Sequence, residues 1–453
     1  MNKLSKIKLL IAVLLLGTSG LSAQNLIRNL SLTDCLKLGI ENNITVKKAK
    51  LDKDKNRYKI NETISKGLPQ IEGYGVFQDN LKLPVNVIPG EIFGKPGEQI
   101  SVQFGSQYTA NGGVKFNQLL YSQTYLTSIA LAKKTNDISE LSYEKSKEDL
   151  VYTLSQLYFL TQVTKKQKKL IGENIHRMEQ LIDITKKQLQ GGIIQSVDLD
   201  RIMVTRENLL SQYSNTDALL KQQFDMIKYY IDLPTDTDIN LIDSTGYRLL
   251  EVADTSFTRD FTNKTDIRML EKQKDIAQLN KKIINQAYLP TLSANGQFYY
   301  MSMRQKFDFF NTNPSGKWFG SELVGLNLSI PIFDGLEKKN KASQAVIEYD
   351  KTNITIEDTK KYYSIEYDNA FRSLINTRHI VERQDNNIAL AEKVFSITSQ
   401  KYHEGIVTLS DLLHDETSLN DAQMSYLNAL FQNKTAELNI LKSTGKLNAL
   451  INN

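Results

Sequence analysis

The 453 residues carry a formal net charge of +5, with 24% charged residues of both signs interspersed, and no Lys/Arg block dense enough for a nucleic-acid partner. A single cysteine, Cys35, excludes an internal disulfide. The four histidines (His176, His379, His403, His414) show no metal-ligand spacing, and no nucleophile–base set or phosphate loop stands out, so neither cofactor, metal nor enzyme is expected.

Residues 1–23 place Lys3, Lys6 and Lys8 before an apolar core Leu9–Leu16 and a small-residue stretch ending at Ala23. This is the pattern of a secretory signal peptide cleaved after Ala23. A retained anchor would need an apolar run of roughly 18 residues, which the stretch lacks. Cys35 lies too far beyond that point for a lipidation cysteine and is read as a small buried or half-buried helix residue.

From Thr291 to Tyr300 the period is two: Leu292, Ala294, Gly296, Phe298 and Tyr300 face one way, Ser293, Asn295 and Gln297 the other. Leu323–Phe333 and Ser101–Tyr108 alternate likewise, and 70–78 does so less cleanly. Such alternation predicts strands with one greasy and one wet face. Two strand pairs are therefore expected, with loops at 79–99 and 303–319. The aromatic residues Tyr299, Tyr300, Phe307, Phe309, Phe310, Trp318 and Phe319 are expected as an interfacial girdle.

All eight prolines lie outside Gln123–Gln190 and Leu336–Glu404, stretches that hold only one glycine between them, Gly172. Absence of both breakers predicts helix, and 68 residues make a rod of roughly 100 Å. Spacings of three and four among Leu150, Leu154, Leu157, Tyr158 and Thr161, and among Ile388, Ala391, Val394, Phe395 and Thr398, mark coiled-coil-like seams. Glycine turns at Gly191-Gly192 and Gly405 lead into returning helices at 196–231 and 409–443.

The chain also repeats itself. Asn43–Phe77 aligns with Lys264–Phe298 at an offset of 221, and Gly192, Ile193, Ile194 and Asp198 align with Gly405, Ile406, Val407 and Asp411 at 213. The expected division is a signal peptide 1–23, a first repeat 24–232, a linker 233–262, a second repeat 263–445 and a tail 446–453. Each repeat supplies a helix, a strand pair (about 68–121 and 289–334) and a helical hairpin (about 123–231 and 336–443). Four strands cannot close a barrel, and open edges in lipid leave backbone groups unpaired. Three chains give twelve strands, an even number that suits an outer-membrane barrel with a wet lumen.

Leu30-Ser31-Leu32-Thr33 with Glu41-Asn42-Asn43, Leu68-Pro69 and Leu289-Pro290, Leu328 to Gly335, and Tyr402 to Leu412 resemble, in order and in duplicate, the TolC-like outer membrane efflux proteins. The resemblance implies an α+β membrane protein: a homotrimer with a 12-stranded β-barrel in outer-membrane lipid and an α-barrel in the periplasm. Its implied role is the exit duct of a tripartite efflux or type I secretion system, beneath which sit a periplasmic adaptor (membrane fusion) protein and an inner-membrane RND or ABC pump. Adaptor docking is implied at Gly191, Gly192, Ile193, Ile194 and Ser196, and at Gly405, Ile406, Val407, Thr408 and Leu409. Asp198, Tyr402 and Asp411 match positions of the periplasmic gate, whose acidic ring continues at His414 and Asp415. His414 departs from the acidic pattern and is either a pH-responsive gate residue or a solvated helix residue. Val407 stands where the family has a latch arginine. Asp198 and Asp411 also suit helix capping, and capping is compatible with a cation-attracting ring. The other class of protein the rods admit is a periplasmic coiled-coil scaffold or adaptor without a barrel, which leaves the alternating strands unexplained.

Overall fold

A computed structural model describes residues 28–243, 261–311 and 316–452. The expected signal peptide, residues 244–260 of the linker, Pro314 with its neighbours, and the last residue of the tail lie outside the described residues. Chain contacts form two units, each drawing on both repeats: Met1–Ala49 with Tyr143–Thr265 and Lys360–Asn453, and Lys50–Ser142 with Asp266–Thr359.

The second unit contains a four-stranded antiparallel sheet made of β2 (Gln70–Asp79), β5 (Tyr108–Tyr121), β7 (Thr291–Arg304) and β8 (Phe319–Ser329), in the order β2-β5-β7-β8. Its register places Ile71 opposite Phe116, Phe116 opposite Gly296, and Gly296 opposite Val324. One face thus collects Ile71, Phe77, Val114, Phe116, Phe298, Val324, Leu326 and Leu328, all solvent-exposed in the single chain. The other face carries Glu72, Lys115, Asn117, Asn295, Gln297 and Asn327 toward the helix end, and Val76, Tyr299, Met301 and Leu323 toward the loops. On that polar face Tyr74 spans β5 to reach Gln297, whose Nε2 donates to the tyrosine hydroxyl, while the Lys115 ammonium sits 4.3 Å from the Tyr74 ring. Tyr74 stands opposite Gly113, where a Cβ would run into the Phe298 carbonyl, so β5 leaves the ring an unobstructed wall to cross.

The expected strand at 101–108 differs. Gln99–Gln103 is β4, paired with β3 (Val85–Pro89) in a separate hairpin, and the chain leaves strand geometry before β5 begins at Tyr108. Alternation alone does not show a break, and Gly105, at φ +131°, turns the chain there. The second strand of the first pair is consequently 108–121. At the other end β8 stops at Ser329, before Pro331.

The aromatic set also divides. Phe307, Phe309, Phe310 and Trp318 pack with Phe77 and Tyr108 at the loop end of the sheet. At their centre lies Arg304, whose side chain is inaccessible to solvent. Its Nη1 donates to Asp308 Oδ1 at 2.9 Å, its Nε donates to Ser302 Oγ at 3.0 Å, and its guanidinium lies 4.5 Å from the Phe309 ring. An arginine on the apolar side of a strand is tolerated here because an ion pair and aromatic faces enclose it. Tyr300 packs edge-on against Phe298, and the register turns Tyr299 and Phe319 to the opposite face.

The first unit is built on helices. β1 (Arg28–Leu30) leads to α1 (Leu32–Asn42), capped by a reciprocal Ser31/Asp34 box, and then α2 (Ile44–Ser65). α3 is Gln123–Gln190, α4 Ser196–Ile231, α5 Thr265–Gln286, α6 Glu337–His403, α7 Leu409–Ser443 and α8 Ala449–Asn452; α5 from Asp266 onward belongs to the second unit, and α2, α3 and α6 each have residues in both. β6 (Ile239–Leu241) pairs in parallel with β1. Tyr158 of α3 donates to the carbonyls of Leu30 at 3.1 Å and Ile242 at 2.7 Å, which fixes that small sheet to the rod. Around it Leu36, Val151, Leu154, Phe159, Ile227, Ile231, Leu374 and Leu438 are almost wholly buried. Each such side chain stabilises by about 1.5–3 kcal/mol. Cys35 lies in this core, and burial pushes its thiol up to about 12, which fits a packing residue.

Candidate functional site: the hairpin tips

Both long hairpins turn in the same way. Gly192 at φ +71° and Gly405 at φ +75° occupy the left-handed region that glycine enters without cost. The amides of Gly192 and Ile193 donate to the carbonyls of Leu189 and Gln188, and those of Gly405 and Ile406 donate to Tyr402 and Lys401, closing each helix identically. The turns expose Ile193 and Ile406, while Ile194 and Val407 are half-buried. Val407 packs on the apolar cluster of Ile175, Met178, Leu181, Ile182, Ile202, Leu409 and Leu412.

The returning helices start differently. In α7 the Asp411 amide donates to Thr408 Oγ1 at 3.2 Å, and the Thr408 amide donates to Asp411 Oδ2 at 3.1 Å. This capping box satisfies free N–H groups from both directions. The Thr408 hydroxyl and then its backbone N–H hold the Asp411 carboxyl below its ordinary value, with a smaller contribution from His414. In α4 the equivalent Gln195 makes no side-chain cap, and Asp198 instead accepts from Arg201 Nη1 at 3.1 Å.

The sequence-predicted gate residues are placed unequally. Asp411 and His414 are exposed on one side of α7, with Asp415 half-buried beside them; Asp198 is half-buried on α4. Tyr402 is buried, 5% exposed, and its hydroxyl donates to Gln188 Oε1 of α3 at 3.2 Å. Within one chain these residues do not gather into a single cluster; Tyr402 ties the hairpins together and the carboxylates line their surface. Ser196 and Thr408 are exposed and Leu409 is buried under the second turn.

Sequence reasoning missed a buried polar link behind the tips. Arg177 of α3 donates through Nε and Nη2 to Glu416 of α7 at 3.1–3.3 Å. Its Nη2 also donates to Asn174 Oδ1, and its guanidinium lies 5.6 Å from the Phe395 ring of α6. One turn away, Asn174 Nδ2 donates to Asn420 Oδ1 at 2.9 Å. Burial pushes the Glu416 carboxyl above its ordinary value, and Arg177 opposes that rise. The partners are 239 residues apart, and each looks like a solvated helix charge when read alone. The repeat gives the one signal: at the offset of 213 Arg177 answers to Leu390 and Glu416 to Met203, so the charges occupy positions that are apolar in the other copy.

Among the described residues no group of side chains suits a metal ion, and no described helix is long and apolar enough to cross a membrane. The model of the outer membrane efflux protein family matches residues 261–446. Outer membrane protein TolC of Vibrio cholerae is 19% identical over 353 residues, covering 74% of this chain and 77% of that protein. TolC of Salmonella enteritidis is 20% identical, covering 90% and 80%. Among solved structures, CusC superposes with a TM-score of 0.71 at 17% identity over 91% of both chains. The Campylobacter jejuni CmeC outer membrane channel superposes at 0.69 with 16% identity, over 92% of this chain and 85% of that one.

Proposed function

We propose that the chain is a TolC-like outer membrane efflux protein, seated in the outer membrane with a periplasmic extension, and that three copies form one exit duct of a tripartite exporter. The observation that carries this reading is the sheet. It has an apolar face, a polar face, and two outer strands, β2 and β8, each with one described neighbour. In lipid, every backbone group left unpaired along those edges costs several kcal/mol, and pairing β8 of one copy with β2 of the next removes all of them. Three copies make twelve strands, the apolar face meets lipid, and the polar face lines the lumen.

In this reading the repeats 24–232 and 263–445 each supply a strand pair and a hairpin to the duct, with 233–262 between them. The tips at 191–196 and 405–409 dock a periplasmic adaptor, below which an RND or ABC pump delivers substrate. Asp198, Asp411, His414 and Asp415 line the periplasmic gate, and Tyr402 fixes the wall behind it. Three symmetry-related carboxylates at a constriction attract cations.

Planar-bilayer conductance of the detergent-extracted protein, with its mass measured on the same sample, tests the reading. Small, discrete, cation-selective steps from a trimer are expected. A protein that never inserts, or that conducts as a monomer, overturns it.

A further inference from the structure

We infer that the cleft between α3, α6 and α7 binds an amphipathic carboxylic acid that carries a hydroxyl on its apolar body. The cleft measures about 760 Å³, within the roughly 300–1,000 Å³ of small-molecule sites. Every residue that lines it belongs to the first unit of a single chain, so the site stands whether or not three copies form a duct. Its floor is apolar: Leu241 and Leu427 are buried, with Leu170 and Ile388 half-buried beside them. One polar side chain interrupts that floor. Gln423 of α7 is 8% exposed, and its Oε1 has no hydrogen-bond partner among the described residues. A buried acceptor left unpaired destabilises the chain that holds it, and a bound hydroxyl removes that cost. A hydroxyl both donates and accepts, so it serves either end of the amide. At the offset of 213 the other repeat has Leu210, so a helix seam of this kind does not itself call for an amide.

The lip of the cleft supplies the charge. Lys165 and Lys169 stand one turn apart on α3, both exposed at the mouth. Lys165 donates to a neutral partner, Asn240 Oδ1, at 2.6 Å. Lys169 meets Glu173 only at 3.7 Å, in an exposed pair that holds it weakly. Lys166, between them, is matched by Asp243 at 3.0 Å. A carboxylate at this lip therefore finds two ammonium groups with little competition, and charge-assisted hydrogen bonds are the stronger kind. Glu392 stands on the α6 wall, and its charge keeps that carboxylate on the α3 side. The ligand thus has one direction: carboxylate at Lys165 and Lys169, chain along Leu241 and Leu427, hydroxyl at Gln423.

Equilibrium dialysis of labelled 3-hydroxyoctanoate against the full chain in lipid nanodiscs, with empty nanodiscs subtracted, tests the site. Saturable binding of one molecule per chain is expected, several-fold tighter than that of octanoate, which lacks the hydroxyl. Gln423→Leu should abolish that preference and leave both acids at the octanoate affinity. Lys165→Gln with Lys169→Gln should weaken both acids several-fold, and Glu392→Gln should tighten both. No saturable excess over empty nanodiscs overturns the site, as does a hydroxyl preference that survives Gln423→Leu in a folded, helical chain. Should that variant fail to fold, the exposed lysine pair decides: binding that is unchanged without those ammonium groups overturns the site. Weaker binding in Glu392→Gln overturns it too, because the cleft would then favour a cation.

Discussion

Ile175, Met178, Leu181, Ile182 and Thr185 in α3 sit 213 residues before Ile388, Ala391, Val394, Phe395 and Thr398 in α6, on equivalent turns of equivalent rods. The first five are all buried; of the second five, none is buried and Val394 is 48% exposed. The sequences of the two seams are equally apolar, so the difference lies in neighbours. α3 meets α4 through Lys168 and Asp217 and meets α7 through Asn174 and Asn420, whereas α6 meets α7 through Thr377 and Asn433 and leaves Leu390, Val394 and Ile397 uncovered. Repetition of the α3–α7 contact at the other copy of the repeat would set α6 against α4 of a second chain, whose Met203 and Val204 are likewise exposed. On the proposed trimeric reading, a seam that is satisfied in one repeat and open in the other would be where one protomer meets the next.

The sharpest way to break that comparison is to put charge into both seams. Met178→Asp places a carboxylate at a 2% exposed position and should abolish folding, read as loss of helical circular dichroism. Leu390→Asp with Val394→Asp should leave a folded, helical chain that no longer assembles, read as monomer mass. Trimers that survive the double substitution would remove α6 from the interface.

Tyr402 gives a smaller contrast. It is buried between the hairpins, whereas its repeat equivalent Leu189 is half-buried. Tyr402→Ala should cost about 3–5 kcal/mol of stability, and Leu189→Ala about 1 kcal/mol, since the methylenes it removes are only partly buried. Tyr402→Phe removes only the hydrogen bond to Gln188 and should cost about 1 kcal/mol. Denaturant titration of the three separates packing from the polar tie. Equal costs for the two alanine variants would mean that the second tip is anchored no better than the first.

How much of this the sequence discloses follows from the range of each interaction. The long helices begin and end within a residue or so of the expected bounds, because proline and glycine act on their immediate neighbours. The turns at Gly192 and Gly405 were legible for the same reason. β5 was not: Gly112 and Gly113 dilute its alternation, and the cleaner pattern at 101–108 starts in the separate β3–β4 hairpin and runs on past the end of β4 at Gln103. Arg304 was hidden because its tolerance depends on rings that fold back from the loop. The Arg177–Glu416 link depends on a pairing of helices from different repeats, which local pattern does not encode.

The caps carry the finest distinction between the tips. Thr408→Ala should lower stability by about 1 kcal/mol, and Gln195→Ala should change it by only a few tenths, because only α7 has a side-chain cap to lose. The same comparison separates two roles of Asp411. Its carboxyl is held below the ordinary value in the folded chain, so its contribution to the cap is complete above the unfolded carboxylate pKa near 3.8 and is lost as pH falls through the depressed folded value. In the proposed duct, cation selectivity would depend on the charge of Asp411 and not on the cap. Thr408→Ala should therefore weaken the tip and leave selectivity at pH 7 intact, while Asp411→Asn should reduce selectivity with the smaller structural loss expected of an asparagine in the first turn. Channels in which Thr408→Ala shifts selectivity as far as Asp411→Asn would show that the carboxylate acts through helix geometry, and the acidic ring would lose its electrostatic role.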